Sequence, residues 1–223
     1  GRNSPGTSIL TSTREISPTT AFSLKTKTPT TKERITKPIT INKESIIYSY
    51  AIKDNLKSKV VSSEYFPRDD TKKIKILSKY ANQYAAAGDK TLIDQLRGGN
   101  NYRTGNWQGY REDLNVIVDL SEIKKINSVS LGCHQDIRSW IFYPNYVEYW
   151  TSDDDINYEY QGKVLANFSD KIEGSFQKDF TLNMKNLKAR YIKLKAENYG
   201  ICPEWHLGAG GKTWVFVDEI TIK

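Results

Sequence analysis

The sequence has few of the residues on which metal, redox and nucleophilic chemistry usually depend: its 223 residues include two cysteines, two histidines and one methionine. Neither His134 nor His206 has another histidine at ligand spacing, and Cys133 and Cys202 lie far apart along the chain, so no zinc site is expected. The sequence also lacks a Gly-x-Ser-x-Gly elbow, a Walker phosphate loop and any apolar run near the ~20 residues of a membrane helix. These absences argue against the common hydrolase and nucleotide-binding classes.

The composition is typical of a soluble globular protein, with 38% hydrophobic and 26% charged residues, and the length allows one large domain or two modest ones. Two domains fit the pattern along the chain better. We expect a linker or edge strand over residues 1–20, a small β module over residues 21–66 and a larger β domain over residues 67–223. Because the chain starts at Gly1 rather than Met and no signal-like apolar run follows, we also expect that any targeting signal lies upstream.

A net charge of +7 suggests an anionic partner such as a nucleic acid, but the distribution of the charge argues against one. Residues 1–79 carry 16 Lys and Arg against 7 Asp and Glu, whereas residues 80–223 carry 17 against 19. In the basic part the lysines alternate with threonines along predicted strands, which is typical of a solvated sheet face. We therefore expect no nucleic-acid binding.

Short stretches of apolar residues at every second position predict an all-β protein. In the larger domain this pattern predicts a half-buried strand over residues 114–120. We expect that a polar turn over residues 121–125 joins it to a partner strand over residues 126–133. Further strands of an antiparallel set are predicted over residues 146–152, 176–182, 189–196 and 214–222.

A long loop between Tyr84 and Tyr110 is rich in glycine and asparagine and has too few apolar residues for a helix. Calcium requires several oxygen ligands, and such a loop can supply a carboxylate, a hydroxyl and several carbonyls if a second acid arrives from elsewhere in the chain. We predict that a calcium ion is bound by Asp94, Leu96 through its backbone, Thr104 and Glu219. The alternative is a surface loop that binds nothing.

Six motifs occur in a fixed order along the larger domain: residues 87–94, Trp107-Gln108-Gly109-Tyr110, residues 116–120, residues 146–154, residues 189–193 and Val217-Asp218-Glu219-Ile220. With them, residues 67–223 resemble the discoidin, or coagulation factor 5/8 type C, family. Within it, residues 135–141 and 202–212 resemble the family-32 carbohydrate-binding modules at the ends of chitobiase-like β-N-acetylhexosaminidases of Bacteroides. The resemblance implies a β-sandwich jelly roll of the galactose-binding-domain type, with a structural calcium site and ligand-binding loops at one end.

The preceding module resembles a different family. Residues 28–30, 37–41 and 58–61 are similar to the fibronectin-III-like module that follows the catalytic domain in chitobiase-type enzymes. The resemblance is partial, because Lys25 and Thr26 replace the family's Asp-Gly turn. A module so short is expected to depend on packing against its neighbour.

Two loops of the larger domain, residues 133–144 and 200–206, combine aromatic rings with charged or amide side chains. A sugar ring has an apolar C–H face and a rim of hydroxyls, so its site needs an aromatic surface and a few fixed donors and acceptors. We predict that a sugar is bound by the side chains of Trp205, His206, Trp140, Asp136, Arg138 and Tyr143. For Trp107, Trp150 and Trp214 we prefer the alternative that tryptophans fill the core. For Trp140 and Trp205 both interpretations stay open.

Cys133 and Cys202 allow two interpretations. They flank the two candidate loops, so an exported protein could oxidise them to a disulfide. Two separate buried thiols are the alternative, since free cysteine is among the most buried residues.

The adjacent acids Asp218 and Glu219 resemble the catalytic pair of hexosaminidases, but we predict no catalysis. Those enzymes carry the pair on a (β/α)8 barrel of about 250 residues. Here the pair lies in the last strand of an all-β chain, where neighbouring side chains point to opposite faces.

The residues and the resemblance together imply a non-catalytic carbohydrate-binding region of an exported, chitobiase-like glycoside hydrolase. The expected ligands are glycans with terminal GlcNAc, GalNAc or galactose, the expected cofactor is structural calcium, and the catalytic domain is expected upstream in the parent chain. The implied location is periplasmic, outer-membrane-associated or secreted. The alternatives are a protein- or membrane-binding discoidin adhesion domain and a spacer that has lost ligand binding. Because the candidate loops are rich in amides and charges, we expect no membrane insertion.

Overall fold

A computed structural model describes residues 8–9, 22–24, 32–33, 40–41, 45–50, 52–53, 56–65 and 70–223. The chain divides into two compact units, Gly1–Asp70 and Thr71–Lys223. In the described residues the secondary structure consists of β-strands and short 3-10 turns. None of the helical turns in this part of the chain is long and apolar enough to cross a membrane.

The described part of the first unit consists of short antiparallel strands. They are β1 (Ser8–Ile9), β2 (Phe22–Leu24), β3 (Lys32–Glu33), β4 (Thr40–Ile41), β5 (Ser45–Ser49), β6 (Ile52–Lys53), β7 (Leu56–Lys57) and β8 (Val61–Tyr65). Four of them form a sheet in the order β3-β2-β5-β8, while β1 pairs with β4 and β6 with β7. The fibronectin-like assignment of residues 21–66 stays a prediction, because residues 28–30, 37–39 and the Lys25–Thr26 turn lie outside the described residues.

The second unit contains seven strands and four 3-10 turns. The strands are β9 (Lys73–Ile76), β10 (Gln108–Tyr110), β11 (Leu114–Gln135), β12 (Tyr146–Ser152), β13 (Glu159–Leu165), β14 (Phe176–Ala196) and β15 (Val215–Ile222). The turns are Asn82–Tyr84, Gly88–Ile93, Tyr102–Thr104 and Ile137–Ser139. The loop between Tyr84 and Tyr110 therefore contains two 3-10 turns and no α-helix.

Two long strands, β11 and β14, build both layers of an antiparallel β-sandwich. The start of β11 pairs with β9 and with the end of β14, which continues to β12 and β13. The end of β11 pairs with the start of β14 and with β15, which continues to β10. The predicted all-β sandwich is thus confirmed for this unit.

The predicted pairing of residues 114–120 with residues 126–133 was wrong, because both segments belong to β11. The register with β14 shifts between Asp119 and Lys124, and Ser121 adopts a positive φ of 68°. The polar residues of this stretch therefore bend one strand, as a bulge does, instead of reversing the chain. Likewise, residues 176–182 and 189–196 are the two ends of β14.

The core lies between the two layers and follows the predicted alternation. Along the start of β11, Leu114, Val116 and Val118 are fully buried, whereas the residues between them are half-buried. Apolar side chains of β14 and β15, including Ile192, Leu194 and Val217, complete the same cluster. Burial of this face, at about 25 cal/mol per Å² of apolar surface, is the main force that holds the layers together.

Candidate functional site

Three loops at one end of the sandwich enclose a cavity of about 500 Å³. Its walls come from the loop after β11, the loop between β13 and β14, and the loop before β15. The cavity, here named the tryptophan cavity, is lined by Ile137, Arg138, Trp140, Lys171, Glu173, Trp205, His206 and Leu207. Four of the six residues predicted to bind sugar are therefore brought together: Arg138, Trp140, Trp205 and His206.

Trp140 is fixed by the backbone and by two glycines. It ends the turn Ile137–Ser139 in the left-handed conformation, and its carbonyl accepts a 2.8 Å hydrogen bond from the backbone N–H of Trp214. Gly208 and Gly211 pack so closely on the half-buried indole that an added Cβ would lie 2.4 Å and 2.5 Å from ring atoms. Only glycine lets the loop of residues 200–212 approach the ring in this way.

Trp205 lies at the tip of that loop and is the aromatic side chain most available to a ligand. Its side chain is 43% exposed, and the neighbouring Leu207 is fully exposed. The indole contacts the ring of His206 edge-on, with 5.7 Å between the ring centroids. One face of the cavity can thus present a flat apolar surface to solvent.

His206 holds two loops together. Its Nε2 lies 2.7 Å from the carbonyl oxygen of Ile137, and its Nδ1 accepts a 2.9 Å hydrogen bond from the N–H of Gly208. This pattern fits the neutral tautomer with the proton on Nε2. Both ring nitrogens are occupied, so His206 can offer a ligand only its ring edge.

The rim of the cavity is charged. Arg138 and Glu173, both exposed, form an ion pair with 2.5 Å between Nη2 and Oε2, and Lys171 lies beside them. Sequence reasoning missed Lys171 and Glu173. No local signal could have identified them, because the polar loop of residues 166–175 carries no ligand motif and reaches the cavity only through the tertiary fold.

Two predicted sugar-binding residues do not line the cavity. The Asp136 carboxylate accepts a 3.1 Å hydrogen bond from the hydroxyl of Ser139. Tyr143 is 3% exposed and packs in the main core against Phe168 and Phe180, and burial raises the pKa of its hydroxyl. Its ring is therefore part of the sandwich interior in this conformation.

Of the three tryptophans predicted to fill the core, Trp107 and Trp214 are buried, which confirms the prediction for them. For Trp150 the prediction was wrong, because its side chain lies on the opposite face of β12 from the buried Val147, Tyr149 and Thr151. Trp107 donates a 2.9 Å hydrogen bond from its indole N–H to the carbonyl of Gly99. Trp150 is half-buried on β12, with the edge of Tyr160 against it.

The two cysteines are free thiols, so of the two interpretations the buried-thiol one holds. Cys133 belongs to the main core, whereas Cys202 packs in a small cluster with Ile137 and Phe142. Burial raises the pKa of both thiols. They therefore contribute packing as uncharged side chains.

The predicted calcium ligands Asp94 and Glu219 are close enough to interact electrostatically. Glu219 is buried and accepts a 2.7 Å hydrogen bond from the N–H of Gln95, and Asp94 accepts one of 2.9 Å from the N–H of Leu96. Burial, with the charge of Asp94 as a further cause, raises the pKa of Glu219 to about 9. The Oε1 atom of Gln95 is buried without a hydrogen-bond partner.

This donor set fits a hard cation. Two neighbouring carboxylates and a buried amide oxygen that accepts no hydrogen bond are the kind of oxygen ligands that calcium prefers. Thr104 makes only local contacts, donating a 2.9 Å hydrogen bond to the carbonyl of Asn101. Among the described residues no group of three or more His, Cys, Asp or Glu side chains is arranged to hold a metal, so backbone and amide oxygens would have to complete the coordination.

Asp218 and Glu219 are both buried, and both are held by the loop that follows Asp94. The Asp218 carboxylate accepts a 2.8 Å hydrogen bond from the N–H of Gly98 and lies 3.2 Å from the Nε of Arg97. Burial raises the pKa of Asp218 to about 6. Neither acid lines the tryptophan cavity.

No protein-family model and no curated protein matches the chain. Several solved structures do match it. CpGH89CBM32-5 from Clostridium perfringens, in complex with GalNAc-β-1,3-galactose, is 18% identical with a TM-score of 0.45, and the match covers 68% of this chain and 94% of that one. The family 32 carbohydrate-binding module of C. perfringens NanJ, in complex with galactose, is 13% identical with a TM-score of 0.42. That match covers 68% of this chain and 93% of that one.

The C-terminal domain of a chitobiase from Bacteroides fragilis is 21% identical, with a TM-score of 0.38 and coverage of 67% of this chain and 95% of that one. At these identities and TM-scores the likeness by itself assigns neither a ligand nor a function. The function is therefore argued from the geometry of the loops.

Proposed function

We propose that the second unit is a non-catalytic module that binds a sugar residue in the tryptophan cavity. The observation that carries the proposal is the combination of an exposed indole, Trp205, with a charged rim in one cavity of sugar size. An indole face contacts the C–H groups of a pyranose, while Arg138, Lys171 and Glu173 supply donors and acceptors for hydroxyl groups.

The expected ligand is a terminal GlcNAc, GalNAc or galactose residue of a glycan. This finer assignment is supported by the resemblance of residues 135–141 and 202–212 to family-32 carbohydrate-binding modules. Affinity for a single sugar is expected to be weak, on the order of 0.1–1 mM, because few atoms make contact and the hydroxyl groups lose water.

The same resemblance supports three further parts of the proposal. The parent protein is an exported β-N-acetylhexosaminidase of the chitobiase type, its catalytic domain lies in the same polypeptide, and the module keeps that domain near its glycans.

A structural calcium ion is bound by Asp94 and Glu219, with the backbone of Leu96 and the amide oxygen of Gln95 close by. When bound, the ion would neutralise the buried carboxylate and stabilise the loop.

The first test is the substitution Trp205→Ala, followed by NMR titration with galactose, GalNAc and GlcNAc. Removal of the exposed indole should abolish sugar-induced shifts in residues 133–143 and 200–212. Because the side chain is 43% exposed, the melting temperature should change little. Tyr160→Ala is the matched control, since Tyr160 is 49% exposed and does not line the cavity.

The proposal fails if none of these sugars shifts the wild-type resonances, and a spacer then becomes the better interpretation. Binding of lipid vesicles or of a protein in place of sugars would support the adhesion alternative, which the fully exposed Leu207 favours. Unfolding of Trp205→Ala would show that the indole supports the core.

A further inference from the structure

A second cavity lies at the base of the loop whose tip carries Trp205. It is an open groove of about 580 Å³ between the β10–β11 turn and the bridge that joins Ile201 to Lys212. We name it the arginine groove. Its lining includes Leu77, Arg111, Asn115, Asn198, Ile201 and Lys212. None of them lines the tryptophan cavity.

The carboxylates of the groove already have partners. Asp113 accepts a 2.9 Å hydrogen bond from the N–H of Asn198 and lies 3.2 Å from the Nζ of Lys195. Glu112 accepts a 2.7 Å hydrogen bond from the N–H of Lys79. Their negative charge is thus partly compensated within the protein.

The cations of the groove are exposed, and no ion pair to Arg111 or Lys212 occurs in the described part of the chain. The guanidinium of Arg111 stacks on Trp214, 4.1 Å from the ring centroid. One of its N–H groups donates a long, 3.4 Å hydrogen bond to the carbonyl of Lys212. Stacking fixes the plane of the guanidinium and leaves several of its donors directed to solvent.

We propose that the arginine groove binds a sugar residue that carries a carboxylate group. The fixed guanidinium can donate two parallel hydrogen bonds to a carboxylate, and the ammonium of Lys212 adds a second positive charge. The exposed side chains of Leu77 and Ile201, 50% and 59% accessible, can contact the C–H groups of the ring. The amide of Asn115 can bond to a hydroxyl group.

The proposal extends the proposed function and rests on it in one respect, namely that the ligand is a glycan. Residues 200–212 contribute their tip to the tryptophan cavity and their base to the arginine groove. A glycan with a neutral and an acidic residue could therefore contact one loop at both places. Electrostatic attraction would also make binding at the groove weaken as salt increases.

The test uses the whole 223-residue chain and NMR titration with glucuronic acid and galacturonic acid, each beside its methyl ester. The free acids should shift the backbone amides of Arg111, Asn115 and Lys212 and should bind about tenfold more tightly than the esters, because a charge-assisted hydrogen bond is lost on esterification. Arg111→Gln and Lys212→Gln should remove this preference. Arg103→Gln is the matched control, since Arg103 is exposed and stacks on Tyr102 outside the groove.

The outcomes separate the two proposals. Shifts near Arg111 with the acids and not with the esters support the groove, even if galactose leaves residues 133–143 unchanged and the proposed function fails. The groove proposal is overturned if acids and esters bind equally, or if the acids cause no shift near Arg111, whether or not galactose shifts residues 133–143. Loss of the preference in Arg103→Gln would also contradict it.

Discussion

At the scale of single residues, His134 is the least satisfied side chain of the second unit. It is fully buried on β11 and has no hydrogen-bond partner at either ring nitrogen. Its ring lies tilted by 39° against that of Trp107, with 4.9 Å between the centroids. Burial lowers its pKa to about 4, although the nearby charge of Asp136 acts in the opposite direction. The folded protein therefore keeps this imidazole neutral.

The pKa of His134 predicts a stability that depends on pH. Its folded value of about 4 lies below its ordinary value of 6.5, so the unfolded chain binds more protons between these pH values. The stability contribution is present above pH 6.5 and is lost as the pH falls towards 4, by an amount on the order of 2–3 kcal/mol. His134→Phe should remove this contribution, as measured by urea unfolding across the range.

The quantity to compare is the difference in unfolding free energy between wild type and His134→Phe at each pH. The raised pKa of Asp218, about 6, lowers the stability of both proteins as the pH rises through an overlapping range, and this effect cancels in the difference. Parallel stability curves for wild type and His134→Phe between about pH 4 and 7 would contradict the prediction.

Sequence context predicted two of the buried tryptophans, Trp107 and Trp214, but left Trp205 and Trp140 open and was wrong for Trp150. Trp107 and Trp214 lie in apolar strand context and are buried, whereas Trp205 follows Cys202-Pro203-Glu204 in a turn and is exposed. The sequence predicts His206 as a hydrogen-bonding partner for a sugar, because it follows Trp205 in a loop that combines aromatic and polar side chains. Its two nitrogens are instead occupied by loop backbone, and only the three-dimensional approach of Ile137 and Gly208 could reveal this.

At the scale of elements, the loop of residues 200–212 depends on glycine at position 208. Its backbone is not in the left-handed region, but a Cβ would lie 2.4 Å from Cε2 of Trp140. Gly208→Ala should therefore displace the indole and destabilise the unit by about 1–3 kcal/mol, as overpacking usually does. Chemical unfolding followed by tryptophan fluorescence measures both effects.

Gly99→Ala serves as the control, because no atom lies within 4 Å of the position that a Cβ would occupy there, and the φ of Gly99 is not positive. If Gly208→Ala were as stable as Gly99→Ala and kept the wild-type fluorescence, the close packing on Trp140 would not matter.

The strand pattern was predictable and the strand connections were not. Alternation at positions 114–120 fixes which face is buried, and Leu114, Val116 and Val118 lie on it. A polar stretch such as residues 121–125 can either reverse a strand or bend it. The choice depends on pairing with β14, which is distant in sequence.

At the scale of the whole molecule, calcium is predicted to raise the stability of the second unit. A ligand that binds only the folded state contributes about 2.7 kcal/mol at a free concentration about 100 times its dissociation constant. For a unit of this size, the melting temperature should rise by about 5–10 °C in calcium and fall again with chelator. Asp94→Asn should abolish the response, as measured by calorimetry.

Asp153→Asn is the control for that experiment, since Asp153 is an exposed acid in a turn away from Asp94 and Glu219. A wild-type melting temperature that is equal in calcium and in chelator would exclude the predicted ion.

The arrangement of the loops is the part of the molecule that the sequence could not predict. Residues 133–144 and 200–206 could be identified by composition alone, and the structure brings both to the tryptophan cavity. The sequence could not predict that Lys171 and Glu173 line the tryptophan cavity, nor that the arginine groove exists. Both depend on segments that are far apart in sequence and adjacent only in the fold.

The long strands β11 and β14 have a consequence for how the second unit comes apart. Each runs through both layers, so breaking the hydrogen bonds of one layer withdraws two strands from the other. A partly open form with one intact layer would lose strand pairs in that layer too and would expose its apolar face. Such a form is therefore unstable, and the unit unfolds in one cooperative step. A force applied to this unit along the chain would therefore either leave it folded or unfold it completely.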